Sequence, residues 1–190
     1  MRSAIFAAAF ATTALAANTA RAAKCMSDSQ AQHVADNFRT LIADYSDDLA
    51  DKTMTTDFTD YSAGVNTLIN SGCTGPQDLN GPTFSSLEEF KAGQGSQPAI
   101  PFEQLNIWHT CDTVIIRWRS EGPGQEPEPV TGNIVIEATP NKPRKAKSEP
   151  WLIQTVYSEF NSGAWLVNLG VFEPTCPAPP PPGVKRSIGI

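Results

Sequence analysis

Residues 151–172, WLIQTVYSEFNSGAWLVNLGVF, decide the fold. The stretch alternates and is rich in β-branched and aromatic residues on both sides of a turn cluster, Asn161-Ser162-Gly163. That pattern predicts two strands joined by a tight turn. On the first strand Leu152, Gln154, Val156, Ser158 and Phe160 share one face, and Trp151, Ile153, Thr155, Tyr157 and Glu159 share the other. On the predicted return strand Trp165, Val167, Leu169 and Val171 oppose Leu166, Asn168, Gly170 and Phe172. Both faces are largely apolar. A sheet of this kind is covered on one side, and its other side encloses a polar-tolerant space or packs into a mixed core.

Upstream, the same period of two recurs. Val130 to Ala138 reads as a strand, Phe102 to Thr110 as another, and Thr113 to Ser120 as its return across a Cys111-Asp112 turn. Val114, Ile116 and Trp118 share a face opposite Arg117 and Arg119, which predicts an outer position for the two arginines. Glu121 to Pro129 is a Pro/Gly hairpin tip, and Thr139 to Pro150 is a loop carrying the basic run Lys142 to Lys147.

Before the strands come helices. Val34, Phe38, Leu41, Ile42 and Tyr45 recur at helical spacing behind the N-cap candidates Ser27 to Ser29, which predicts a helix over about 29–45. Asp47 and Asp48 suit the first turn of a second, shorter helix. Thr55 to Ile69 reads as a short strand or irregular turn leading into a helical piece. Residues 70–83 are loop, with Gly72, Gly75, Pro76, Gly81 and Pro82. Ser85 and Glu88 form a capping-box pattern that starts a small helix ended by Gly93. Helices first and about five long antiparallel strands after them make an α+β fold, with helices packed on one face of a strongly curved antiparallel sheet. The bent sheet and first helix cannot fill the space between them, so a pocket is expected there.

The ends bound the domain. Arg2, an apolar run from Ala4 to Ala17, and Ala20-Arg21-Ala22 match a signal peptide over 1–22. The fold is then 23–176, followed by a Pro-rich tail, 177–190. Export predicts a secreted protein. Removing Arg2 and Arg21 from the 14 basic residues leaves 12 against 20 acidic, a net of −8. An acidic chain without a basic stripe argues against nucleic acid and membrane as partners. The four cysteines, Cys25, Cys73, Cys111 and Cys176, lie at no zinc-site spacing and predict two disulfides in an oxidising compartment. Three pairings exist; Cys25–Cys176 and Cys73–Cys111 are preferred, the first tying the domain ends and the second pinning a loop to the sheet.

The element order resembles the NTF2-like (SnoaL-like) superfamily. The segments DFTDYSAGVNTLIN (57–70), GPTFSS (81–86), EEF (88–90), 93–120 and TVYSEFNSGAWLVNLG (155–170) resemble a group of secreted fungal NTF2-like domain proteins, over about residues 25–173. The resemblance implies a helix-and-sheet cone. It implies no single activity, because the superfamily includes isomerases, dehydratases, cyclases, transport adaptors and binding modules. The Tyr/Asp and His/Asp/Tyr catalytic patterns of its enzyme branches do not align onto this chain. NTF2-like domains often dimerise, which makes a homodimer an expectation here.

The candidate catalytic residues are Asp57, Asp60, Tyr61 and His109. A carboxyl desolvated in an apolar pocket rises toward a useful pKa, Tyr61 donates a hydrogen bond, and a His titrates near neutrality. The alternative is that the aspartates form turns by bonding nearby backbone. Phe38, Trp108, Tyr157 and Glu159 are pocket candidates, although Trp108, like Trp118, Trp151 and Trp165, also suits the core. Two histidines without a carboxylate-rich facial pattern suggest no metal, and no cofactor motif is present. The expected function is binding of a small apolar molecule or a protein partner in or on the cone. The alternative is a SnoaL-type isomerase, cyclase or dehydratase acting on a secondary metabolite by acid/base catalysis.

Overall fold

The computed structural model describes residues 25–141 and 149–175. The expected signal peptide, the basic run at 142–147, Cys176 and the Pro-rich tail lie outside the described residues. The elements are α1 (Asp28–Ala43), α2 (Asp47–Thr53), β1 (Met54–Tyr61), α3 (Ala63–Ile69), α4 (Leu87–Gln94), β2 (Glu103–His109), β3 (Thr113–Gly122), β4 (Gln125–Pro140), β5 (Trp151–Phe160) and α5 (Ser162–Asn168). The fold is the expected α+β cone, with five helices and one five-stranded sheet in the order β1-β5-β4-β3-β2.

Inner and outer faces follow from strand parity. Val114, Ile116 and Trp118 of β3, Ile134 and Ile136 of β4, and Val156 of β5 are buried. They meet the buried stripe of α1, namely Ala31, Val34, Ala35, Phe38 and Leu41. A capping box starts α1, with Ser27 accepting from the Gln30 N–H and Gln30 accepting from the Ser27 N–H. Register shifts in β2 between Gln104 and Asn106, and between β4 and β5 at Glu137/Ala138, add the local twist that bends the sheet. Gly132 is required where β4 crosses β5: a Cβ there would sit 2.5 Å from Phe160 Cβ and 2.6 Å from the Glu159 carbonyl oxygen.

Four expectations are corrected. The sheet is mixed, because β1 pairs in parallel with β5. The expected return strand after Asn161 is instead helix α5. Asn161 caps it by accepting from the Ala164 N–H, and Gly170 leaves it at φ 68°. The Gly170 N–H bonds the Val167 carbonyl and the Val171 N–H bonds the Leu166 carbonyl, a Schellman ending. A run as apolar as WLVNL is ambiguous by period alone, and the two caps decide it. The small helix α4 starts one residue later than expected. Ser86 is its N-cap, while Glu89 reaches back to Ser85, and Gly93 lies inside the helix against the Phe84 ring.

The fourth correction concerns the disulfides. Cys25 pairs with Cys111, which overturns both Cys25–Cys176 and Cys73–Cys111. The chain enters α1 beside the β2–β3 turn, where the Met26 N–H bonds the Cys111 carbonyl at 2.8 Å. The bond therefore pins the first helix to the sheet rather than joining the domain ends. Cys73 is exposed after α3 and has no disulfide partner among the described residues.

Candidate functional site

A cavity of about 390 Å³ opens between the helices and the concave face of the sheet. Phe38 and Ile42 of α1, Val65, Leu68 and Ile69 of α3, Phe90 of α4 and Trp165 of α5 form its helical walls. Trp118, Ile134, Ser158 and Phe160 line its sheet side. The segment from Gln97 to Phe102 and the Pro123-Gly124 turn form its rim. Phe102 stacks on Trp118 with ring centroids 5.0 Å apart, and Phe160 packs edge-on to Trp118 and tilted against Trp165. Such interlocked rings give a stiff apolar wall. The volume is within the range of small-molecule sites.

Among the described residues, one acidic group enters this lining, Asp60. Phe58 and Asp60 of β1 point inward by parity, and Asp57, Thr59 and Tyr61 do not. The backbone of Asp60 is clamped by the strand bridge to Phe84, with N–H to carbonyl at 2.9 Å, and by the Thr83 N–H at 2.8 Å. The residue is 6 % exposed, and Oδ1 has no hydrogen-bond partner among the described residues. Burial pushes its pKa up to about 7, with help from the Glu159 charge, against a backbone hydrogen bond at Tyr61. Gln94, also buried, and Ser158 are polar neighbours in the same lining. Gln125 closes one end, its Oε1 accepting from the Asn168 side chain at 3.2 Å. An uncompensated carboxyl near neutrality in an apolar chamber accepts or donates one proton, or pairs with a polar group on a bound molecule.

The other sequence candidates fall elsewhere. Asp57 is exposed; Thr55 and its own backbone N–H hold its carboxyl low, with a lesser contribution from Gln154, whose side chain donates to it at 3.4 Å. Tyr61 lies on the outer face, stacked on Tyr157. His109 sits at the end of β2, bonded to Asp28 at 3.0 Å and to the Thr110 carbonyl, which together raise its pKa. Of the pocket candidates, Phe38 lines the cavity. Trp108 is 52 % exposed, which corrects its expected place in the core, and Tyr157 is outward at 42 %. Glu159 lies outside the lining and caps α3, accepting from the Ala63 and Gly64 N–H groups at 2.9 and 3.2 Å. His33 is tied to the buried Glu149, which also binds Lys52 at 3.1 Å, so this cluster joins α1 and α2 to the β4–β5 connection rather than serving the cavity.

The walls supplied by α3, α4 and α5 were not anticipated. Val65, Leu68 and Ile69 carry the signal, at i, i+3 and i+4 in a short helix, where one apolar side faces a partner.

A family model described as an NTF2-like domain matches residues 24–172. No curated protein matches the chain. Among solved structures, a putative polyketide cyclase from Acidithiobacillus ferrooxidans is 13 % identical, with a TM-score of 0.51 over 76 % of this chain and 98 % of that one. A putative SnoaL-like polyketide cyclase from Shewanella denitrificans is 10 % identical, with a TM-score of 0.50 over 74 % and 96 %. At these identities the likeness is one of fold.

Proposed function

Because the chain belongs to the NTF2-like domain family, we propose that it holds a small, largely apolar molecule in its cone, with Asp60 as the polar anchor. The observation that carries this reading is the 390 Å³ cavity, walled by interlocked aromatics and containing one buried carboxyl. Apolar burial supplies the affinity, and the single polar group fixes the orientation. A neutral ligand with a hydroxyl or carbonyl is held best while Asp60 is protonated, below about pH 7. Export through the N-terminal segment belongs to the same reading, and the Cys25–Cys111 disulfide supports an oxidising compartment. Among the described residues no helix is long and apolar enough to cross a membrane. Native mass spectrometry of the protein purified without denaturation tests the reading. A co-purifying molecule of a few hundred daltons supports it. An apo mass that no added apolar molecule shifts opposes it.

A second reading is acid/base catalysis on the bound molecule, as an isomerase, cyclase or dehydratase of the SnoaL type. Asp60 favours it, because a group near pH 7 both takes and returns a proton at useful rates. Asp57, Tyr61 and His109 lie outside the lining, so Asp60 carries the proton transfer in this reading. With a responsive substrate in hand, Asp60→Asn keeps binding and loses turnover. Equal turnover in the variant rules the reading out.

A further inference from the structure

The sign of the charge inside the chamber narrows what it can hold, given the reading that it binds a small molecule. Asp60 is buried, and its Oδ1 accepts no hydrogen bond among the described residues. Among those residues no lysine, arginine or histidine shares the lining with it. The neighbouring charge that acts on it is Glu159, of its own sign. Gln94, Gln97, Gln125 and Ser158 are polar and neutral. The ionised carboxyl therefore has no counter-ion in the lining, a costly state for a buried charge. Phe84 is bridged to Asp60 at the strand edge, so both side chains leave the backbone on the same side. Phe90 meets Phe84 edge-on at 5.6 Å, and Phe102, Trp118, Phe160 and Trp165 continue the aromatic wall. Ring faces carry partial negative charge, so such a wall attracts a cation where an aliphatic wall is indifferent.

We propose that the ligand of this chamber is a lipophilic amine, bound as its cation with the nitrogen beside Asp60 and its apolar body among the rings. An anion adds a third negative charge to those of Asp60 and Glu159 and finds no basic group to pair with. A neutral hydroxyl or carbonyl suits the protonated carboxyl, but it leaves the ionised one without a counter-charge. An ammonium supplies that counter-charge, N–H donors for the open oxygen, and attraction to the ring faces. Burial makes the carboxylate costly in the empty chamber, and the same low dielectric makes it a strong partner once a cation enters. The chain as a whole favours that entry, since 20 acidic against 14 basic residues draw cations towards its surface. A hydrated metal ion is a poor occupant, because one carboxyl among rings cannot replace its shell of oxygens. An organic cation gains instead from burying its apolar body.

The test compares three probes that share a naphthalene ring, by titration calorimetry of the full chain at pH 8. They are 1-naphthylmethylamine, a cation at that pH, neutral 1-naphthylmethanol, and the 1-naphthoate anion. The expected result is one-site binding of the amine, about tenfold or more tighter than the alcohol, with the naphthoate weakest. In Asp60→Asn the two dissociation constants, amine and alcohol, come to within about threefold of each other. Their ratio compares two ligands on one protein, so a general change in the chamber cancels. Circular dichroism verifies that the variant folds, and Asp60→Ser replaces it if it does not. An amine that binds the wild type no tighter than the alcohol overturns the proposal and leaves the apolar chamber standing. A full amine preference that survives the loss of the carboxyl overturns it as well. If none of the three probes binds, the reading of the chamber as a binding site fails, and the proposal falls with it.

Discussion

The Glu159 carboxylate and the Asp60 carboxyl lie on opposite faces of the sheet edge, and the first helps to keep the second protonated. Glu159 is held in place by the two N–H groups it caps at the start of α3. A structural cap on the outside of the cone thus tunes the acidic group in the cavity lining.

The first consequence is a pH dependence of stability. Asp60 titrates near 7 when folded and near 4 when unfolded, so between these values the folded chain binds more protons. Stability therefore falls as pH rises through this window, by on the order of 4 kcal/mol in total, and stays lowered above it. Asp60→Asn removes that slope and is the more stable chain at pH 8. Urea unfolding of both proteins at pH 5, 7 and 8.5 measures it. Parallel profiles contradict the burial of an uncompensated carboxyl.

The second concerns Glu159. Glu159→Gln withdraws a charge that raises Asp60, so the Asp60 titration midpoint moves down, which carboxyl NMR resolves. The same change replaces charge-assisted caps with neutral ones and costs α3 about 1 kcal/mol. An unmoved Asp60 midpoint sinks the coupling between the two groups.

The third concerns the disulfide. Peptide mapping without reduction yields a Cys25–Cys111 cross-linked peptide. The sequence separation of 86 residues means that Cys25→Ser with Cys111→Ser lowers stability by roughly 4 kcal/mol in the chain-entropy model. The loss appears first as detachment of α1 from the β2–β3 turn, visible in amide exchange. A Cys25–Cys176 peptide contradicts this pairing.

Much of this architecture is legible in the residues. Alternation places β2, β3, β4 and β5, and the i, i+4 stripe from Val34 to Phe38 places α1. Residues 162–172 mislead because Trp, Leu and Val satisfy both periods, and only Asn161 and Gly170, nine positions apart, mark helix ends. The site is legible in part. Asp57 and Asp60 look equivalent in sequence, but an odd spacing sends them to opposite faces, and Asp60 shares its face with Phe58. The disulfide is illegible because four cysteines allow three pairings, and the choice depends on where the chain enters α1.

The proposed binding of a small apolar molecule requires an open chamber inside the cone. The most direct measurement is a fluorescence titration with the neutral apolar probe N-phenyl-1-naphthylamine, run on the wild type and on Ser158→Phe. Ser158 lines the cavity from β5, so the added ring fills the chamber without touching the outer face. Saturable one-site binding to the wild type, weakened tenfold or more (about 1.4 kcal/mol) in Ser158→Phe, is the predicted result. Equal binding to both proteins, or no saturable binding to the wild type, contradicts the central claim.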